Sequence, residues 1–168
     1  MNSTLLVNIV RFVVLLLSQV VIFNNINFLG YINPYVYFLF IVGFPFGKNR
    51  SVFLLAAFAM GLSIDLFTDA GGINATACLI AAFVRPLVLH SSFGVSYEFN
   101  TLKLSRAGLG ERLTYVTFMV VIHHLVLFSL ETFNISNILI ILKKTLFSSI
   151  FTIFLILLFI TLFSSKKQ

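Results

Sequence analysis

The sequence predicts an all-α, polytopic membrane protein: one domain of six transmembrane helices with both termini cytoplasmic. Three observations predict it. Of the 168 residues 60% are hydrophobic and 10% charged, with a mean hydropathy of +1.08. A soluble domain carries roughly 25% charged residues, so lipid rather than water is the expected solvent. Apolar runs close to the ~20 residues that cross a ~30 Å hydrocarbon core recur along the whole chain. Lys and Arg fall in alternate loops, the pattern left by retention of positive charge in the cytoplasm.

The first span runs about Leu5 to Phe23. No basic n-region precedes it and no small-residue cleavage site interrupts it, so it reads as retained rather than as a signal peptide. The second, about Tyr31 to Phe46, is short and has Pro34 and Pro45 near its ends. It reads either as a full crossing or as a re-entrant or strongly distorted helix. The third covers about Ser51 to Phe67, the fourth about Gly72 to Ser91, the fifth about Arg112 to Phe133 and the sixth about Lys144 to Phe163.

Lys48 and Arg50 occupy the loop 47–51, Lys103, Arg106 and Arg112 the long loop 91–112, and Lys166 and Lys167 the tail. The alternate loops 24–33, 65–72 and 131–137 contain neither Lys nor Arg. Lys143 and Lys144, at the outer end of the sixth span, break the rule. The net charge of +6 is spread singly or in pairs, which fits topology and not a nucleic-acid footprint. The basic loop reads as a topology determinant, with anionic lipid heads or a cytoplasmic filament as its alternative partner. The single cysteine, Cys78, can form neither an internal disulfide nor a metal constellation.

The stretch MGLSIDLFTDAGG, residues 60–72, holds two of the five acidic residues, Asp65 and Asp69. Ala57 and Gly61 on the third span, and Ala77 and Ala81 on the fourth, are spaced four apart. Small residues at that spacing let two helix backbones approach closely in lipid, and Gly71 and Gly72 permit a tight reversal. A close-packed hairpin is expected, with its turn outside. Asp69, in the turn, is expected to cap the fourth helix. Asp65 lies deeper and calls for a partner. Lys143 and Lys144 match it in depth, and the alternative for both lysines is to snorkel to the headgroups.

Arg11 and Arg85 lie within spans near the cytoplasmic side, where either can snorkel. Pro86 after Arg85 removes a ladder hydrogen bond and kinks the helix, which reads either as opening a polar cavity or contact surface beside the guanidinium or as ordinary helix shaping. His123 and His124 point about 100° apart on a regular helix and cannot both face one metal. Hydrogen-bonded neutral imidazoles inside the bundle are expected, with a proton relay as the lesser reading. Glu131 is placed at the interface. Phosphate loops, nucleophile elbows and convergent acid–base sets are absent from the sequence. An enzyme is therefore not expected, nor a catalytic, cofactor-binding or metal site.

Three stretches, NNINFLGYINPYVYFLF (24–40), FAMGLSIDLFTDAGGINATA (58–77) and AAFVRPLVL (81–89), together with length, span number and one longer basic loop, resemble the rod shape-determining protein MreD family, in its Bacteroidetes-like branch. The G-x-x-x-D of Gly61 and Asp65 before the Gly72 turn carries the family-wide likeness. The resemblance implies a bundle similar to the S-components of energy-coupling-factor transporters. It also implies a scaffold in the bacterial inner membrane that serves cell elongation. The implied partner is an MreC-type single-span protein, with RodA-type glycosyltransferases, penicillin-binding transpeptidases and the MreB filament as indirect associates. By the same analogy Asp65 and the Gly71–Gly72 turn shape a bundle that docks a partner, while Arg85 and Pro86 receive no role. The rival is a vitamin-binding S-component, for which the outer loops offer Tyr31 and Asn24, Asn25, Asn27, Asn33, Asn134 and Asn137.

Overall fold

A computed structural model describes residues 3–26, 32–45, 49–94, 104, 107–133 and 135–162. Lys48, Lys103, Arg106, Lys166 and Lys167, and the loop residues Tyr31, Asn27 and Asn134, lie outside these. Every regular element among the described residues is helical. Among the described residues, five helices are long and apolar enough to cross a membrane. They are α1 (Ser3–Val21), α3 (Arg50–Thr68), α4 (Ile73–Phe93), α5 (Leu109–Thr132) and α6 (Ile138–Leu162), with the short α2 (Leu39–Val42) between the first two. The five long helices have 19 to 25 residues, roughly 28 to 38 Å at 1.5 Å per residue.

Successive helices α3, α4, α5 and α6 pack as neighbours, and α1 lies against α3 and the segment around α2. The α3–α4 turn and the α5–α6 connection mark one end of the bundle, called here the turn end. The start of α3 and the end of α4 mark the other, the basic end. α6 begins at Ile138, six residues ahead of the expected Lys144, because the apolar run ILIIL continues the helix toward the turn. Lys143 and Lys144 thus sit in its second turn.

The second hydrophobic segment is where sequence and structure differ most. Helix is confined to a 3-10 turn at Val36–Phe38 and one turn of α2. The two prolines explain the limits. Pro34 holds Asn33 out of the α region and Pro45 does the same to Phe44, so helix is squeezed between them. What remains is threaded through the middle of the bundle: Val36, Tyr37, Phe38, Ile41 and Val42 are fully buried. Tyr37, Phe38, Ile41 and Val42 pack with Met60 of α3, Cys78 and Ala81 of α4 and Tyr115 and Met119 of α5 to form the core. The other exposed surfaces are rows of Leu, Val, Ile and Phe, as on α1, where Gln19 is the buried exception among the described side chains.

Candidate functional site

The α3–α4 hairpin closes on a glycine. A Cβ at Gly61 would lie 2.5 Å from both the Ala75 Cα and the Asn74 carbonyl oxygen, so only glycine allows the two backbones to meet there. The small residues read from the sequence are spent inside the bundle: Ala57, Ala77 and Ala81 are fully buried, Ala77 among Leu127 and Phe128 of α5 and Ile141 of α6. The chain then reverses through Asp69, Gly71 and Gly72, whose φ angles are +53°, +62° and +95°.

The close approach places Asp65 against the start of α4. Its Oδ1 accepts the backbone N–H of Asn74 at 2.9 Å and the Asn74 side-chain amide at 2.9 Å, and its Oδ2 accepts the Ala75 N–H at 2.8 Å. These are among the amides that a helix start leaves without intrahelical partners, and a carboxylate also complements the helix dipole. Asp65 is 5% exposed. It therefore performs, across the hairpin, the capping role expected of Asp69. Asp69 instead ends α3: it sits in the left-handed region, its N–H donating to the Asp65 carbonyl, a conformation that Asp tolerates better than most residues. The cap residue of α4 is Gly72, without a side chain to offer.

Of the two readings of the lysine pair, an ion pair with Asp65 or snorkelling, the pair with Asp65 is not formed: the partners of the Asp65 oxygens are N–H groups of Asn74 and Ala75. Lys144 Nζ lies 2.9 Å from Glu131 Oε1 and over the Phe128 ring, while Lys143 is exposed on α6. The Asp65 oxygens are already satisfied by N–H groups, so a lysine has nothing left to relieve. The Lys144–Glu131 pair is partly exposed, 26% and 44%, which places it among pairs contributing about 0–1 kcal/mol.

Deeper in the bundle, polar side chains from four helices serve the backbone of 32–45. Gln19 of α1, fully buried, donates to the Pro34 carbonyl at 3.0 Å and accepts the Tyr37 N–H at 3.2 Å. Thr152 of α6 accepts the Tyr35 N–H at 3.1 Å. Tyr115 of α5 donates to the Val42 carbonyl at 3.1 Å. Arg85 of α4 donates to the carbonyls of Phe44 at 2.6 Å and Val42 at 3.3 Å and to Tyr115 Oη at 2.8 Å, with its guanidinium 4.7 Å above the Phe53 ring. Buried backbone outside regular helix needs partners for its N–H and C=O groups, and these side chains supply them to the carbonyls of Pro34, Val42 and Phe44 and the N–H groups of Tyr35 and Tyr37. Pro86 lies inside α4, directly after Arg85.

Arg85 is 4% exposed and so is buried, not snorkelling. Arg11 is exposed, and its Nη1 reaches the Gly43 carbonyl at 3.4 Å. An Arg85→Met variant, which keeps bulk but deletes the donors, is expected to lose about 2–4 kcal/mol of stability: the Phe44 carbonyl and the Tyr115 hydroxyl oxygen lose their Arg85 donor at about 1–3 kcal/mol each, while the Val42 carbonyl keeps Tyr115. Arg85→Lys should recover only part, because one ammonium cannot span Phe44 and Tyr115 together. Thermal unfolding in detergent reads the difference; equal stability of all three proteins would overturn the assignment.

The histidine pair is fully buried. His124 bonds Val120 and Thr152, at 2.8 and 3.4 Å, and His123 lies 3.1 Å from Tyr37 Oη and stacks on Phe38 at 4.2 Å between ring centres. Among the described residues, no three His, Cys, Asp or Glu side chains gather as a metal site. The sequence reading passed over Gln19, Tyr37, Asn74, Tyr115 and Thr152. Gln19 could have been flagged as an amide in an apolar run; the others are ordinary residues whose role depends on the fold.

One group of hydroxyls stays unpartnered. Ser18, Ser63, Thr68, Thr76, Thr114 and Thr161 each donate to the carbonyl four residues back. Thr145, Ser148 and Ser149, buried on the inner side of α6, have no hydrogen-bond partner. Comparison of the chain with family models, with curated proteins and with solved structures finds no match.

Proposed function

We propose that this chain is a non-enzymatic scaffold of the bacterial inner membrane, acting in the cell-elongation machinery that directs peptidoglycan synthesis. In this reading it is an MreD-type protein with an MreC-type single-span partner. RodA-type glycosyltransferases, penicillin-binding transpeptidases and the MreB filament associate through that partner. Both termini are cytoplasmic, the turn end faces outward, and 32–45 is the second of six passages through the membrane. The observation that carries the proposal is how the membrane-embedded polar residues are used. Asp65 is spent on α4, and Gln19, Arg85, Tyr115 and Thr152 are spent on 32–45. A bundle that commits its polar groups to its own architecture acts through its outer helix surfaces, which is what a scaffold requires.

A second reading, a vitamin-binding S-component of an energy-coupling-factor importer, is favoured by one observation: the buried, unpartnered hydroxyls of Thr145, Ser148 and Ser149 in the half of α6 nearer the turn end. Convergent polar groups of this kind are what a small-ligand site needs. Two of the outer-loop asparagines it would recruit are already engaged, Asn24 with Gln19 and Asn25 with the Val21 carbonyl.

Affinity purification of the tagged protein from crosslinked membranes of its own bacterium, read by mass spectrometry, separates the two. Recovery of a single-span MreC-like protein with cell-wall synthases is the expected result. Recovery of ATPases with a coupling membrane subunit would overturn it in favour of the importer.

A further inference from the structure

Two histidines adjacent in sequence are held by different nitrogens. His124 Nδ1 lies 2.8 Å from the Val120 carbonyl oxygen, which can only accept. Nδ1 therefore carries the proton, and Nε2 accepts from the Thr152 hydroxyl at 3.4 Å. For His123 the proton is found by following three further side chains. The Asp65 oxygens accept N–H bonds from Asn74 and Ala75. The Asn74 amide accordingly turns Nδ2 toward Asp65, at 2.9 Å, and presents Oδ1 to the Tyr37 hydroxyl, at 2.8 Å. That hydroxyl has one proton, and the amide oxygen receives it. His123 Nε2, 3.1 Å from the same hydroxyl oxygen, then faces its lone pairs. A hydrogen bond there requires the proton to be on Nε2.

The opposite tautomer fails twice. It would set the lone pair of Nε2 against those of Tyr37 Oη at 3.1 Å. It would also place an N–H on Nδ1, which is buried without a hydrogen-bond partner, and buried orphan N–H donors are rarer than under-satisfied acceptors. The Cys78 thiol, 3.8 Å from Nε2, is too weak a donor to reverse this balance.

We propose that Asp65 is a positioning residue for His123: through Asn74 and Tyr37 it holds the ring as the Nε2–H tautomer and leaves Nδ1 as a hydrogen-bond acceptor inside the bundle. Every donor in the chain points toward the carboxylate. The chain transmits polarity and does not conduct protons, because an amide oxygen is a poor proton carrier and Asn74 stands in the middle. The turn end of α3 thereby sets the hydrogen-bonding character of an imidazole in the middle of α5. This inference stands whichever function the chain serves.

The test is solid-state NMR on the full chain with ¹⁵N-labelled histidine in lipid nanodiscs, the three rings being assigned by His90→Gln and His124→Gln. In the unaltered protein His123 is expected as Nε2–H and His124 as Nδ1–H. Asn74→Leu cuts the chain between Asp65 and Tyr37 and frees the Tyr37 proton to turn toward His123. The His123 population should then shift toward Nδ1–H, while His124, held by Val120, keeps its signal and reports an intact bundle. His123 found as Nδ1–H in the unaltered protein would overturn the proposal. So would an unchanged His123 in Asn74→Leu beside an unchanged His124. Should Asn74→Leu disturb His124 as well, Tyr37→Phe takes its place, and there His123 is expected to lose its single tautomer.

Discussion

Asp65→Ala is expected to cost the protein about 3 kcal/mol or more, a lost helix cap being worth about 0.5–2 kcal/mol and each stranded buried donor about 1–3. Three N–H groups lose their acceptor at once: the Asn74 and Ala75 amides and the Asn74 side chain. Water cannot replace the carboxylate readily, since the site is 5% exposed and closed by the contact at Gly61. Asp65→Asn should fall between, because its one remaining oxygen can accept while its amide nitrogen opposes a donor. Asp69→Ala, at an exposed position where the backbone does the work, should cost much less. Thermal unfolding of the three variants in one detergent gives the order; an Asp69→Ala protein weaker than Asp65→Ala would return the capping role to Asp69.

Gly61→Ala is expected to be nearly as damaging although it adds one methyl group. At 2.5 Å from backbone atoms of α4, the added carbon meets nothing that can rotate away, so the helices must separate. Over-packing commonly costs about 1–3 kcal/mol. Here the separation also stretches the three bonds to Asp65, one turn farther along α3, so the upper end of that range or beyond is expected. Ala59→Leu supplies the control, a larger addition on the same helix at an exposed position. Folded yield after detergent extraction and the unfolding temperature should fall for Gly61→Ala and hold for Ala59→Leu. The reverse order would mean that α3 and α4 do not meet through Gly61.

These two positions were also the most legible part of the sequence. Gly61 and Asp65 could be read because their signals are carried by residue type: a missing side chain where helices meet, and a charge where lipid forbids one. The hairpin followed from them, as did the long helices from their apolar runs. What Asp65 touches could not be read. An opposite charge leaves a letter in the sequence, and Lys143 and Lys144 offered one, but the actual acceptor need came from backbone amides, which every residue except proline carries. The same blindness applies to Asp69, whose left-handed backbone ends one helix instead of opening the next. Prolines 34 and 45 announced that the second segment would be irregular. The side chains that make the irregularity tolerable, Gln19, Arg85, Tyr115 and Thr152, are spread over α1, α4, α5 and α6, and nothing in their local spacing links them.

That scattering has a consequence for the order in which the chain is made. The Tyr35 N–H finds its acceptor 117 positions later, at Thr152, and the Val42 carbonyl finds its donors 43 and 73 positions later, at Arg85 and Tyr115. A ribosome delivering the protein from its N-terminus releases the segment long before the groups that complete it. Until α6 is made, the Tyr35 N–H lacks the acceptor that Thr152 supplies, and 32–45 cannot hold its final set of hydrogen bonds. The last helix to be synthesised is the one that lets the second segment settle, and assembly of this bundle finishes near its beginning.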